Sequence, residues 1–134
     1  MPKILVVDDD PISLRIAIHH LEQNGYDTIA AENGQQALNL LQSAPNEFSL
    51  VLTDRIMPKL HGLDLIKQMK ADATLHNIPT IMLTGVADKE EMIETIKAGV
   101  FDFIYKPIEQ ELLLLTIKRA LAQNHTTAKI QHKT

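Results

Sequence analysis

The sequence predicts an α/β fold in which helices cover a parallel β-sheet. The chain has 134 residues, of which 45% are hydrophobic, so it is the size of one ordinary domain with its own core. Apolar runs of four to six residues alternate with segments of helical period, an alternation typical of βα units. Polar or charged residues follow several of these runs directly. These observations indicate a single domain built on a parallel sheet.

The apolar runs predict five strands, and the periodic segments predict five helices. The strands are expected near residues 3–7, 26–31, 48–53, 79–84 and 101–105. The first helix follows Asp10, a good N-cap, and has Pro11 at its first position, where the missing N–H costs nothing. It is expected to end near Gly25, and the others are expected near 34–44, 62–71, 88–98 and 109–124. Gly99 is predicted to stop the fourth helix.

The fifth predicted helix carries a run of four leucines. At about 100° per residue, one stripe is expected to face the sheet: Leu112, Leu113, Thr116, Ile117 and Ala120. Leu114 and Leu115 then fall outside it. Either they are ordinary exposed leucines, partly covered by the first helix, or they mark a contact used for a homodimer or a downstream partner.

Composition excludes several classes of function. The net charge is −4 and the pI is about 5.8, whereas nucleic-acid or anionic-membrane binding needs clustered Lys and Arg. The chain has no cysteine, which rules out a disulfide framework and suits a reducing compartment. Three aspartates follow the short apolar run Ile4–Val7, so neither a signal peptide nor a membrane span is read there. We expect a cytoplasmic protein that contacts neither nucleic acid nor membrane directly.

The strand ends carry groups that fit one chemistry. Asp8, Asp9 and Asp10 follow the first strand, Asp54 ends the third, Thr84 ends the fourth, and Lys106 follows the fifth. Because parallel strands share one carboxyl edge, these groups are expected to meet in a crevice. Clustered carboxylates repel one another, and a hard divalent cation, Mg²⁺ or Mn²⁺, would relieve this repulsion.

Each of these groups also has a simpler interpretation. Asp10 is best explained as a helix cap, and Asp54 alone could be an ordinary aspartate that opens a turn. Thr84 and Lys106, each taken alone, would be unremarkable, although the bond from Lys106 to Pro107 can be cis. The six histidines show no metal-ligand spacing and are expected at the surface.

Over residues 3–122 the chain resembles the receiver domain of two-component response regulators. The matching motifs, in order, are Val-Val-Asp8-Asp9-Asp10-Pro, Thr53-Asp54-Arg-Ile-Met57-Pro58, Ile-Met-Leu-Thr84-Gly85, Ala98-Gly-Val-Phe-Asp-Phe103 and Lys106-Pro107. The resemblance implies a flavodoxin-like (βα)5 fold with a sheet of order 2-1-3-4-5. Residues 123–134 would then be a tail or the start of a linker.

The resemblance also implies a role for each site residue. Asp54 would accept a phosphoryl group from a histidine kinase or a histidine phosphotransfer protein, so the chain would be a signalling domain and not an enzyme. Thr84 and Lys106 would contact the phosphoryl oxygens. Thr84 and Phe103 would then switch the face formed by helix four, strand five and helix five.

In the same family pattern, Asp8 and Asp9 would hold Mg²⁺ together with Asp54 and the backbone carbonyl of Ile56. The apolar side chains of Ile56 and Val86 would slow the attack of water, which predicts a long-lived phosphorylated state. Arg55 and His61 depart from common family residues, at positions without required chemistry.

Two alternatives remain open from the sequence. One is a small phosphohydrolase of the haloacid-dehalogenase type that uses Asp8 and Asp10, although that family needs a further acidic metal-binding motif after the lysine. The other is a receiver-like binding module that works without phosphorylation.

Overall fold

The computed structural model of the protein is an α/β fold in which strands and helices alternate along the chain. It describes residues 2–85 and 88–133, and it describes side chains as far as residue 123. In this part of the chain the elements are β1 (Lys3–Val7), α1 (Pro11–Gln23), β2 (Asp27–Ala31), α2 (Gly34–Ser43), β3 (Leu50–Asp54), α3 (Gly62–Ala71), β4 (Thr80–Thr84), α4 (Lys89–Ala98), β5 (Asp102–Tyr105) and α5 (Gln110–Lys133).

All five strands pair in parallel, and their order is β2-β1-β3-β4-β5. This confirms the predicted flavodoxin-like sheet. In the register, Asp54 of β3 lies beside Leu83 of β4, and Thr84 lies beside Tyr105 of β5. The carboxyl ends of β1, β3, β4 and β5 therefore lie along one edge of the sheet.

Each face of the sheet has its own hydrophobic cluster, because neighbouring residues of a strand point to opposite faces. In β1, Leu5 and Val7 pack toward α2 and α3, whereas Ile4 and Val6 pack toward α1 and α5. All four side chains are fully buried. Packing on both faces thereby holds β1 in place and positions the residues that follow it.

Two predicted helix signals are confirmed. The Asp10 side chain accepts a hydrogen bond from the backbone N–H of Ile12 at 3.1 Å, with Pro11 at the first helical position. Gly99 ends α4 in the left-handed region, with φ of 101°, a conformation that glycine adopts without steric cost.

The predicted buried stripe of α5 is partly wrong. Four of its members are buried: Leu113, Thr116, Ile117 and Ala120. Leu112 was expected to face the sheet but is 46% exposed. Leu114 was expected outside the stripe but is partly buried, and it packs against the hydrophobic cluster on the α1 and α5 side of the sheet. Leu115 is 56% exposed, as expected. The helix is therefore rotated so that Leu114 covers the flank of the core and Leu112 does not.

The helix α5 also extends further than the sequence pattern predicts, to Lys133 instead of about residue 124. The interpretation of residues 123–134 as a tail or the start of a linker stays a prediction. None of the helices in the described ranges has both the length and the apolar character of a membrane span.

Candidate functional site

An acidic cluster lies at the carboxyl edge of the sheet. Asp8, Asp9 and Asp54 each offer a carboxylate oxygen, and these oxygens lie within 4.8 Å of one another. Asp8 is only 1% exposed, Asp54 is half-buried and Asp9 is exposed. Asp10, next in sequence, is occupied instead by its cap contacts with Ile12 and Ser13, as predicted.

The Lys106 ammonium binds two of these carboxylates. Its Nζ lies 3.1 Å from Asp8 Oδ2 and 3.2 Å from Asp54 Oδ1. The Lys106–Pro107 peptide bond is cis. Burial alone would lower the pKa of Lys106, but the hydrogen bond that it donates to Asp8 and the charge of Asp54 raise it. Lys106 is therefore a permanent cation at neutral pH.

The Asp54 carboxylate is only partly neutralised. Its Oδ1 contacts the Lys106 ammonium at 3.2 Å and accepts a hydrogen bond from the backbone N–H of Arg55 at 3.0 Å. These are its two contacts with described residues. Burial and the neighbouring charge of Asp8 raise the pKa of Asp54, and Lys106 opposes this rise. The second oxygen, Oδ2, is left for another electrophile or cation.

The cluster fits a divalent metal ion. Three carboxylates face one ammonium, which leaves excess negative charge in a half-buried crevice. All the donors are hard oxygen atoms, the ligands that Mg²⁺ and Mn²⁺ prefer. Burial and the charge of Asp8 raise the pKa of Asp54, and a bound cation would oppose this rise.

Arg55 and Glu91 are part of the site, although sequence reasoning assigned them no role there. Arg55 Nε donates a hydrogen bond to Thr84 Oγ1 at 3.2 Å, and its guanidinium forms an ion pair with Glu91 of α4. The sheet order could have indicated this contact. Asp54 of β3 pairs beside Leu83 of β4, so the residues that follow them, Arg55 and Thr84, are neighbours. The direction of the Arg55 side chain was not predictable.

The remaining predicted residues lie around this centre. Phe103 is half-buried on β5, whereas Tyr105 is 50% exposed, with its hydroxyl 3.7 Å from Met92 Sδ. The Ile56 side chain is 56% exposed beside the site. Val86, expected to help exclude water, lies outside the described residues.

Three of the histidines, His19, His61 and His76, are exposed. His61 precedes α3 and accepts the backbone N–H of Met57 on its Nδ1 at 3.2 Å. The side chains of His125 and His132 lie outside the described residues.

A family profile for the response regulator receiver domain matches residues 4–118. The chain belongs to this family. The chemotaxis protein CheY1 of Helicobacter pylori is 37% identical over 123 residues, which cover 91% of this chain and 98% of that protein. Chemotaxis protein CheY-3 of Vibrio cholerae is 40% identical over 106 residues, or 78% of this chain and 80% of that protein.

A solved receiver domain from Clostridium thermocellum has the same fold, with a TM-score of 0.87 and 29% identity. The alignment covers 95% of this chain and 99% of that one. Receiver domains are signalling domains and not classical enzymes, and they bind Mg²⁺ in an acidic pocket. Membership of this family removes the phosphohydrolase alternative, and the receiver fold accounts for the crevice in which Asp8, Asp54 and Lys106 meet.

Proposed function

We propose that this receiver domain accepts a phosphoryl group on Asp54 in a reaction that depends on Mg²⁺ or Mn²⁺. The observation that carries the proposal is the position of Asp54, which contacts Lys106 at 3.2 Å and belongs to the acidic cluster. Asp8 is less suitable, because it is buried and its two oxygens already bind Lys106 and the Asp10 N–H. Asp9 has no contact with the lysine among the described residues.

Phosphoryl transfer needs a positioned nucleophile and neutralisation of charge. Asp54 Oδ2 donates an electron pair to phosphorus, and the bond from phosphorus to the donor's imidazole nitrogen breaks, so that its electrons return to the ring. No general base is needed, because an ionised carboxylate is already a nucleophile. Lys106, which contacts Oδ1, balances the negative charge that gathers beside it.

The metal ligands in this proposal are the carboxylates of Asp8, Asp9 and Asp54 and the backbone carbonyl of Ile56. When bound, the cation would neutralise the carboxylates and the phosphoryl oxygens. Its role is supported by the cluster, whose three carboxylate oxygens lie within 4.8 Å of one another.

The switch follows from the added charge. A phosphoryl group brings about −1.5 to −2 charge, and Thr84, at the end of β4, would move to donate its hydroxyl to it. Phe103 is half-buried and would pack further inward as Thr84 moves. The face formed by α4, β5 and α5 would then change, and would control a homodimer or a downstream protein.

The phosphoryl donor is a histidine kinase or a histidine phosphotransfer protein, and the site is expected to act in the cytoplasm. The experiment is labelling with a radioactive phosphohistidine donor, or with a small acyl phosphate, in the presence of Mg²⁺ or of EDTA. Asp54→Asn should abolish the labelling, and EDTA should suppress it. Asp10→Asn is the matched control, because Asp10 is also acidic but serves as a cap. Full labelling of Asp54→Asn would refute the assignment.

A further inference from the structure

The Thr84 hydroxyl contacts Arg55, and because Asp54 pairs beside Leu83, strand alternation directs Thr84 to the opposite face of the sheet from Asp54. Thr84 is 1% exposed, and its Oγ1 accepts a hydrogen bond from Arg55 Nε at 3.2 Å. The contacts of Lys106 are instead with Asp8 and Asp54. The backbone N–H of Arg55 bonds the Leu83 carbonyl at 3.0 Å, so the strand pairing continues one residue past Asp54. Because side chains alternate along a strand, Arg55 and Asp54 point to opposite sides.

Arg55 is itself anchored to helix α4. Its guanidinium pairs with the carboxylate of Glu91, and the two side chains are 21% and 45% exposed. Glu91 lies in the first turn of α4, where its backbone N–H bonds the capping side chain of Asp88 at 2.8 Å. The path from Thr84 to the start of α4 therefore consists of two direct side-chain contacts.

We propose that Arg55 is a positioning residue that holds the Thr84 hydroxyl toward α4 before phosphorylation and passes its later displacement to that helix through Glu91. This inference rests on the proposed function. Because Asp54 and Arg55 point to opposite sides of the strand, donation to a phosphoryl oxygen on Asp54 would draw the hydroxyl away from Arg55, and their hydrogen bond opposes this movement. A cavity of about 320 Å³ is lined by Arg55, His61 and Glu91 among others. It gives the Arg55 side chain room to move once Thr84 has left it.

The test is the affinity of the protein for beryllofluoride with Mg²⁺, a mimic of the phosphoryl group, measured by calorimetry. Arg55→Met should bind it more tightly, on the order of fivefold, because one hydrogen bond to a charged donor no longer opposes the switch. Glu91→Gln, which loosens the anchor of Arg55 and leaves Asp54 and the other carboxylates of the acidic cluster unchanged, should change affinity in the same direction. Weaker or equal binding by Arg55→Met would overturn the proposal.

Two further variants separate the hydrogen bond from the charge. Arg55→Lys keeps a cation near Glu91 but has no Nε to donate to Thr84, so it should behave like Arg55→Met. Wild-type affinity in Arg55→Lys would mean that charge alone sets the equilibrium, against the proposal. In a Thr84→Val background, Arg55→Met should have no further effect, since the bond is already absent.

A spectroscopic readout keeps the inference distinct from a general loss of structure. Backbone amide shifts of α4 in free Arg55→Met should move toward those of the beryllofluoride-bound wild type, while the shifts of β1 and α1 stay in place. Unchanged α4 shifts would contradict the relay. If the wild type neither binds beryllofluoride nor labels on Asp54, the proposed function itself fails. If it does both and the Arg55 variants match it, only this inference fails.

Discussion

Asp54 carries an electrostatic cost in the metal-free protein. Burial and the charge of Asp8 raise its pKa above the usual aspartate value of about 3.9, so the charged form is disfavoured in the folded state. Asp54→Asn should therefore raise the free energy of unfolding at neutral pH without metal. The gain should shrink as the pH falls through the folded-state pKa toward the unfolded one, because Asp54 is then protonated in both states. Urea unfolding at several pH values measures this.

Asp10 provides a control, because its pKa is shifted in the opposite direction from that of Asp54. Hydrogen bonds from Ser13 and the Ile12 N–H lower its pKa, so its charge stabilises the fold above the unfolded-state pKa and loses that effect as the pH falls. Asp10→Asn should accordingly be slightly less stable than wild type at neutral pH and equal to it in acid. Parallel pH profiles for the two variants would contradict the assignment of this cost to the burial of Asp54 and the charge of Asp8.

Lys106→Met should destabilise the metal-free fold. It leaves the buried Asp8 carboxylate without its cation at 3.1 Å, and because Lys106 is 23% exposed we expect a cost of about 1–3 kcal/mol, less than for a fully buried pair. The pKa of Lys106 is raised, so this stabilisation persists through neutral pH and is lost only above the usual lysine range. Mg²⁺ should restore part of the stability in denaturant titrations. Equal stability of variant and wild type in EDTA would contradict this account.

At the residue scale, sequence predicted which groups stand at strand ends but not every contact among them. The approach of Lys106 to Asp8, 98 positions away, and to Asp54 follows from parallel topology, since the carboxyl ends of parallel strands share one edge of the sheet. The contact of Arg55 with Thr84 depends on a side-chain rotamer and on the placement of α4. No local sequence pattern predicts the Arg55 rotamer or the placement of α4. The contacts of Arg55 with Thr84 and Glu91 therefore required the structure.

At the scale of elements, α3 approaches the backbone of Asp54 through a glycine. A Cβ at Gly62 would lie 2.3 Å from the Asp54 carbonyl oxygen, and the Gly62 N–H bonds the Arg55 carbonyl at 2.9 Å. Gly62→Ala should thus cost about 1–3 kcal/mol through overpacking and should also slow labelling of Asp54. Gly85→Ala is the control for stability, because a Cβ there meets nothing within 4 Å. Equal unfolding midpoints for the two variants would contradict the close approach.

The helix α5 shows where an element's sequence pattern is ambiguous. A run of four leucines fits the buried face in more than one rotation, because each shift of about 100° still places apolar residues inward. Packing against the α1 side of the sheet decides the rotation: it buries Leu113 and half-buries Leu114, whereas Leu112 stays 46% exposed. The strands were easier to predict because each is a short apolar run between polar breaks.

At the scale of the whole molecule, the output face is expected to include exposed apolar residues of α4, β5 and α5. These are Ile93, Ile96, Tyr105, Leu112 and Leu115. If activation reshapes this face, beryllofluoride with Mg²⁺ should raise self-association or the affinity for a partner. Leu115→Glu should remove the increase, with a stability change within about 0.5 kcal/mol, since the side chain is 56% exposed.

Sedimentation of wild type and Leu115→Glu, each with and without beryllofluoride, measures this prediction. Leu114→Glu is not a suitable probe, because Leu114 packs against the core cluster and its replacement would destabilise the fold. An undiminished response in Leu115→Glu, with Asp54 still labelled, would place the output elsewhere.

A phosphoryl group on Asp54 would be an acyl phosphate, and chemical trapping can locate it. The protein is phosphorylated with a small acyl phosphate and Mg²⁺, then reduced with borohydride, which converts an aspartyl phosphate to homoserine, and the modified residue is located by peptide mass spectrometry. The account predicts homoserine at position 54 alone, and none when Mg²⁺ is replaced by EDTA. Homoserine at position 8 or 9, or a stable phosphate on a hydroxyl or histidine side chain with none at Asp54, would contradict it.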